Sequence, residues 1–319
     1  MTNLAWVVGA SGLLGKSMVR TINKNADWTL FTAASLPWGS SAEFANNVRA
    51  NVLGLFEQAR HDGADWSIIW AAGSAFTSST QAQLDAEMAE FTTFLEILAA
   101  EVSSSDSTGT MFLASSGGGI YGGATSPPFN EDTAPSPLGA YGQFKLAMET
   151  ELARFSDTSK TSVLIGRISN LYGPGQRIDK MQGLITHLAL ARYGTKPAFI
   201  FVPLGTVRDY IFVDDCAKLI LASIQRLSAE ASSQGGPIRV TKILGSGQAI
   251  SISTLLGYYR GITKAAPRVV HGTAPATKFQ SLDLSMKSVV WPDLDLFEKT
   301  PVAAGFSATM QDVLRLIQR

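Results

Sequence analysis

An apolar run, Leu4-Ala5-Trp6-Val7-Val8, passes without a gap into Gly9-Ala10-Ser11-Gly12-Leu13-Leu14-Gly15. Apolar residues then recur at helical spacing at Met18, Val19 and Ile22. The first run predicts a strand buried on both faces, and the spacing after it predicts a helix. The glycines between them constrain the turn. Gly9 lets the chain turn tightly, Gly12 lets backbone approach a pyrophosphate, and Gly15 lets helix and strand pack closely. The helix N-terminus adds free N–H groups and the positive end of its dipole, both suited to phosphate. The spacing is G-x-x-G-x-x-G, and in this setting it predicts dinucleotide binding.

The same alternation continues. Strands are expected near Trp28–Thr32, Trp66–Gly73, Met111–Ala114 and Thr161–Arg167, with helices over 48–59, 81–102 and 141–155. Repeated strand and helix argue for an α/β chain with a Rossmann-type doubly wound parallel sheet. The proline-rich stretch 125–137 reads as an irregular loop passing over a pocket. After residue 175 the pattern changes. A helix is expected from Met181 to Tyr193, a strand over Ala198–Val202 and a flexible loop over Ser228–Gly236. Asp214 or Asp215 is expected to cap a helix, and a strand, a turn and a capped helix are expected from Ile243 to Thr254. The division is a dinucleotide-binding domain over 1–175 and a smaller α+β substrate lobe over 176–319, with the chain free to cross between them.

With 319 residues, 45% of them hydrophobic, the chain can bury a large core. Zero net charge and no basic cluster argue against nucleic acid or an anionic membrane as partner. One cysteine, Cys216, excludes an intrachain disulfide framework. Three scattered histidines lack ligand spacing, so no metal site is expected. No apolar run is long enough to span a bilayer, and the first strand leaves no room for a leader. The expectation is a soluble cytoplasmic protein.

Tyr141 and Lys145 are four apart, on one face of the expected helix. A phenol beside an ammonium is an acid/base device, because the positive charge favours phenolate. Ser115 or Ser116 offers a hydroxyl to hold a substrate oxygen against that phenol. Arg208 carries a planar fork suited to phosphate, and Asn170 lies in a polar turn. The second strand ends in Thr32-Ala33-Ala34-Ser35 without the carboxylate that would read a ribose. Ser35 and Lys16 can serve either a 2′-hydroxyl or a 2′-phosphate, so NAD and NADP both stay open.

Taken in order, Gly9-x-x-Gly12-x-x-Gly15, Ala71-Ala72, Ser115-Ser116, Ile120-Tyr121-Gly122, Tyr141-x-x-x-Lys145, Arg167-x-x-Asn170-x-Tyr172-Gly-Pro-Gly175, Arg208-Asp209-Tyr210-x-x-Val213-Asp214-Asp215 and Gly245-Ser246-Gly247 resemble the extended short-chain dehydrogenase/reductase family. The likeness is to its NDP-sugar epimerase/dehydratase branch and covers nearly the whole chain. It implies Tyr141, Lys145 and Ser116 as catalytic groups. It implies a cofactor, NAD or NADP, held by Gly9, Ser11, Gly12, Leu13, Leu14, Gly15, Ser35, Ala71, Ala72 and Gly73 together with Tyr141 and Lys145. It implies a small-molecule substrate, a nucleotide-sugar, met by Ser115, Ser116, Gly117, Asn170 and Arg208, in a homodimer paired through the helices over 81–102 and from Tyr141. The activity implied is that of a nucleotide-sugar epimerase like UDP-glucose 4-epimerase. The alternatives are a keto-sugar reductase, a reductase of another ketone, and a non-catalytic cofactor-binding regulator. The chain departs from the family at three points. Alignment on Tyr121 places Gly117, and alignment on Tyr141 places Ser116, at the usual catalytic hydroxyl. No acidic pair follows Ser116, which argues against dehydration. Glu87 stands where the family often has Asn.

Overall fold

Runs of Trp, Ile, Val and Leu place side chains on both faces of a strand, and such strands must be covered on both sides. The computed structural model describes residues 3–105, 108–159, 161–178, 183–272 and 281–318. Its first half runs β1 (Asn3–Val8), α1 (Leu13–Ile22), β2 (Trp28–Leu30), α2 (Ser41–Asp62), β3 (Asp65–Trp70), α3 (Gln81–Ser103), β4 (Gly109–Ser116), a single turn α4 (Gly117–Ile120), α5 (Ala140–Thr158) and β5 (Thr161–Ile168). The second half runs β6 (Asn170–Tyr172), α6 (Leu184–Tyr193), β7 (Ala198–Ile200), β8 (Val207–Phe212), α7 (Val213–Gln234), β9 (Arg239–Leu244), β10 (Ala249–Ser251), α8 (Ile252–Thr263), β11 (Val269–His271), β12 (Asp283–Leu284) and α9 (Val302–Ile317).

Six strands form one parallel sheet in the order β2-β1-β3-β4-β5-β9. Alternation sends Leu4, Trp6 and Val8 into a core with α2, α3 and α5, and sends Ala5 and Val7 to the opposite core with α1 and α7. On the first side Trp70 packs edge-on against Phe91 and Phe94, with centroids 5.0 and 4.8 Å apart. The apolar stripe of α3 is therefore spent inside this chain. From the second half of the chain, α7 and β9 return to complete the large sheet.

The chain crosses from β2 to β3 on the far side of β1, so the strand order reverses between β1 and β3. Ligands of such sheets bind outside the carboxyl ends of the strands at that reversal. Among the described residues only β2 lies beyond β1, and residues 31–64 hold a loop and α2 with no further strand. Two asparagines of α2 fasten this short edge. Asn51 accepts from the Ala34 N–H (2.8 Å) and donates to the Ala34 carbonyl (2.9 Å), and Asn47 donates to the Ser35 carbonyl (2.9 Å).

The smaller lobe gathers β10-β8-β12, with β6 pairing β8, and the β7–β11 pair, around a core shared with α6, α8 and α9. Its helix after Ser251 is capped as expected, the Ser251 hydroxyl accepting from the Thr254 N–H. Three expectations change. Asp214 and Asp215 sit inside the first turn of α7 and do not cap it. Asp214 instead takes Ser17 and Arg20 of α1, and Asp215 takes the Thr300 N–H at 2.6 Å. Residues 228–234 continue α7 up to Gly235, which ends it in the left-handed region at φ 71°. Residues 125–137 do not cover the pocket. They lie against β9, where Glu131 accepts from the Ile243 N–H (2.7 Å) and the Val289 N–H (2.8 Å). The helix expected from Met181 is described from Leu184; 179–182 lie outside the described residues.

Asn51 is 5% exposed and satisfies two backbone groups, whereas Asn47 is half-buried and satisfies one. Asn51→Ala is expected to cost about 2–3 kcal/mol in urea denaturation, and Asn47→Ala less than about 1 kcal/mol.

Candidate active site

The carboxyl ends of β1, β3, β4 and β5 open into a cavity of about 700 Å³ that residues of the smaller lobe also line. Gly12, Leu13, Leu14, Ala71, Ala72 and Gly73 form one wall. Ser115, Ser116, Tyr141 and Lys145 form the floor, and Asn170 and Arg208 lie on the lobe side. Twelve of the residues expected from sequence thus meet in one space.

The glycine turn works by close approach. Gly9 has φ +87°, and a Cβ there would stand 2.5 Å from the Ala72 backbone. At Gly15 a Cβ would stand 2.1 Å from the Gly9 carbonyl oxygen. These two are turn and packing positions. Gly12 is different. It precedes α1 without any side-chain cap, and its nearest neighbour would be 3.4 Å from a Cβ, so the uncapped first-turn N–H groups face open space. That geometry fits a cofactor pyrophosphate. Ser11 and Ser35 are exposed and outside the cavity lining.

β4 ends in two serines that point apart. Ser116 caps the single turn α4, its Oγ accepting from the Gly119 N–H at 3.2 Å, and it lies beside the Tyr141 ring across Gly119. A Cβ at Gly119 would lie 3.3 Å from both Ser116 Oγ and the Tyr141 ring, so glycine there lets the two meet. Ser115 turns the other way and donates to Glu149 Oε1 at 2.6 Å. Gly117 faces Met286 and does not line the cavity; a Cβ on it would stand 2.6 Å from the Met286 sulfur. Of the two alignments open at the sequence level, the geometry favours Ser116.

Burial decides the protonation of the pair. Burial pushes the Tyr141 phenol up, the hydrogen bond from Ser116 works against that, and the negative charge of Glu87 adds to the rise. Burial holds Lys145 below the usual ammonium range, while Glu87 and Glu149 oppose it. The expected lowering of the phenol by the Lys145 ammonium is not among the influences on Tyr141, where desolvation comes first. Lys145 Nζ makes two long contacts, 3.5 Å to the Ala114 carbonyl and 3.6 Å to Met148 Sδ.

On the lobe side, Asn170 donates its amide to the Asp209 carbonyl at 2.9 Å, so part of its polar capacity holds β6 to β8. Arg208 is 9% exposed. It donates to its neighbour's carbonyl at 2.8 Å, and among the described residues no carboxylate lies within ion-pair distance of it. Asp209 turns away to Ser246 instead. A buried guanidinium with no carboxylate in ion-pair contact, Asp283 acting on it only through space, is suited to an anionic ligand.

The sequence reading missed Glu149, which stands four residues after Lys145 on the same helical face. Arg167 forks onto it (Nη2 2.8 Å, Nε 3.2 Å) and donates to the Tyr121 hydroxyl at 2.7 Å. The helical spacing Tyr141, Lys145, Glu149 was a usable signal. Phe199 and Phe201, stacked with centroids 6.0 Å apart on the cavity rim, were read only as strand.

A family model described as "NAD dependent epimerase/dehydratase family" matches residues 5–235. The chain is 32% identical over 146 residues to dTDP-4-dehydro-6-deoxyglucose reductase of Escherichia coli, a match covering 46% of this chain and 43% of that protein. It is 34% identical over 134 residues to dTDP-L-rhamnose 4-epimerase of Burkholderia thailandensis, covering 41% and 35%. The matches thus span less than half the length of these relatives. A solved structure of UDP-glucose 4-epimerase with UDP-glucose from Thermotoga maritima superposes with TM-score 0.76 at 17% identity, covering 99% of this chain and 100% of that one; the likeness is one of fold.

Because Gly117 faces Met286, a serine there is expected to cost about 1–3 kcal/mol by overpacking, without reaching Tyr141. Adding Met286→Ala to Gly117→Ser should recover part of that loss in thermal melts.

Proposed function

The chain belongs to the NAD dependent epimerase/dehydratase family, and from that premise we propose that it is a nucleotide-sugar epimerase working by hydride transfer at a sugar carbinol. The observation that carries the reading is the convergence of the uncapped α1 N-terminus, the Tyr141–Ser116 pair and unpaired Arg208 on one cavity. Bound nicotinamide would supply a hydride acceptor and donor. The first-turn N–H groups after Gly12 would hold its pyrophosphate, and Lys145 its ribose.

The rest follows from this chain's own groups. Arg208 would hold the diphosphate of the substrate and so fix the distance from nucleotide to reacting carbon. Ser116 would hold the reacting sugar oxygen against Tyr141 Oη. In the oxidising direction Tyr141, as phenolate, would take the hydroxyl proton as hydride leaves the carbinol carbon, giving a ketone. Returning both to a rotated ketone would invert the centre. The neutral phenol is the form that gives a proton.

A second reading, a one-way reductase of a nucleotide-linked keto-sugar, is favoured by that same neutral phenol and by the reductase among the relatives. A panel of UDP-, GDP- and dTDP-sugars separates the two. Interconversion of stereoisomers without net cofactor consumption supports the epimerase, and stoichiometric NAD(P)H loss with a keto-sugar supports the reductase.

Tyr141→Phe is expected to lower turnover by about 10²–10⁴-fold while leaving nucleotide affinity near wild type. Unchanged turnover would sink the mechanism. Arg208→Met is expected to weaken binding of free nucleoside diphosphate by about 10–100-fold in calorimetric titration, with cofactor affinity retained.

A further inference from the structure

Among the described residues, three that line the cavity hold a buried side-chain polar atom with no hydrogen-bond partner: Ser169 Oγ, Tyr172 Oη and His187 Nε2. The Tyr172 hydroxyl is directed at α9, where it lies against Gly305. His187 stands on α6 and is half-buried. Ser169 is different. It is 8% exposed and follows β5 directly, at the carboxyl edge of the large sheet. Its backbone is held on both sides. The Ser169 N–H donates to the Leu244 carbonyl at 3.0 Å, one step past the Ile168–Leu244 pair, and the next residue, Asn170, donates to the Asp209 carbonyl. The hydroxyl therefore has little freedom to seek a partner elsewhere, and leaving it without one is unfavourable.

Alternation along the strand gives its direction. Arg167 reaches Glu149 of α5, and Ile168 lies in the opposite core with α7. The following residue of an extended chain returns to the α5 side, where Tyr141 and Lys145 stand. On that side the Glu149 carboxylate is already taken by Arg167 and Ser115. The strand order gives the distance. Gly12 follows β1, and Lys145 Nζ lies over the Ala114 carbonyl of β4. Next comes β5, about 14 Å from β1 at the usual strand spacing. A dinucleotide with its pyrophosphate after Gly12 and its ribose at Lys145 carries its nicotinamide to the end of β5. A substrate held by Arg208 lies on the lobe side of that ring. A buried hydroxyl at the strand end thus meets the cofactor first.

We propose that Ser169 Oγ hydrogen-bonds the carboxamide of a bound nicotinamide and so fixes the rotation of that ring about its bond to the ribose. A carboxamide carries an acceptor oxygen and donor N–H groups, and a serine hydroxyl serves either. Fixing the rotation sets which face of the ring is turned to Tyr141 and the reacting carbon. The proposal rests on the reading of the cavity as a cofactor site, and it adds a cofactor contact that the sequence pattern did not single out.

Calorimetric titration compares NAD with ADP-ribose, which lacks the nicotinamide, and NADP with 2′-phospho-ADP-ribose in parallel. Ser169→Ala removes the hydroxyl, and Ser169→Cys keeps a side chain of similar shape with a weak donor. Both are expected to weaken the dinucleotide that the wild type binds by about 3–10-fold, and to leave its nicotinamide-free counterpart within about twofold. The unliganded variants should melt within about 2 °C of wild type, because Oγ bonds nothing within the fold. Ser223→Ala, which removes another buried hydroxyl without a partner, inside α7, should move neither affinity. Unchanged dinucleotide affinity, an equal loss for dinucleotide and nicotinamide-free probe, or a larger fall in melting temperature would overturn the proposal. So would a selective loss of UDP-glucose over UDP with dinucleotide affinity intact, which assigns the hydroxyl to the sugar. Binding of none of the four cofactor probes to the wild type would overturn the cofactor reading itself, and this proposal with it.

Discussion

The fork of Arg167 on Glu149 fixes the rotation of α5 about its own axis. Glu149 lies two turns beyond Tyr141 and one beyond Lys145 on a single face. Arg167 comes from β5 and Ser115 from β4, and both bind the same carboxylate. The helix face that carries the phenol and ammonium is therefore referenced to the two strands whose ends form the cavity floor. Both partners of the fork are under 10% exposed, so each would leave a buried charge if the other were lost. That penalty makes the pair a device for orientation more than for net stability. The Tyr121 ring extends it, since its hydroxyl accepts from Arg167 and its face stacks on Phe129.

The glycine turn, the alternation of strand and helix, and Tyr141 with Lys145 were legible because each is a local pattern. Strand β1 and helix α3 fall within a residue or so of where periodicity places them, and α1 holds Met18, Val19 and Ile22 as their spacing predicts. What could not be read depends on residues distant in sequence. The choice between Ser116 and Gly117 is made partly by Met286, which fills the space a side chain at 117 would need. The direction of Ser115 is set by a carboxylate 34 positions later. Residues 228–234 look like a loop because they are small and polar, yet a helix already begun continues through such residues until Gly235 ends it.

Asp214, Asp215 and Lys242 teach the same point about charge. A carboxylate at a helix start reads as a cap, but here the two side chains reach other elements, tying α7 to α1 and to the segment before α9. Lys242 sits in the edge strand β9 with no exposure at all. It is tolerated because Ser288, the Val290 carbonyl and Asp295 take its three protons, at 2.8, 2.6 and 2.6 Å. Sequence pattern counts a lysine as surface, whereas three acceptors from a segment some fifty residues away make it interior.

Set beside Lys242, the cavity is conspicuous for charges left without such satisfaction. Lys145 has only long contacts, Arg208 one backbone carbonyl, and Glu87 one oxygen with no partner. The same chain that satisfies a lysine completely at the sheet edge leaves three ionisable groups under-satisfied at the carboxyl ends of its strands. Such under-satisfaction is unfavourable for folding alone, and it concentrates where the glycine turn and the Tyr141–Ser116 pair converge. Their signs differ by place. The lobe side carries Arg208, a group suited to a diphosphate, and the α3 side carries Glu87 behind the wall at Gly73. Polar groups of this kind are strongest when a ligand excludes water from them, so a ligand filling the cavity would strengthen all three at once.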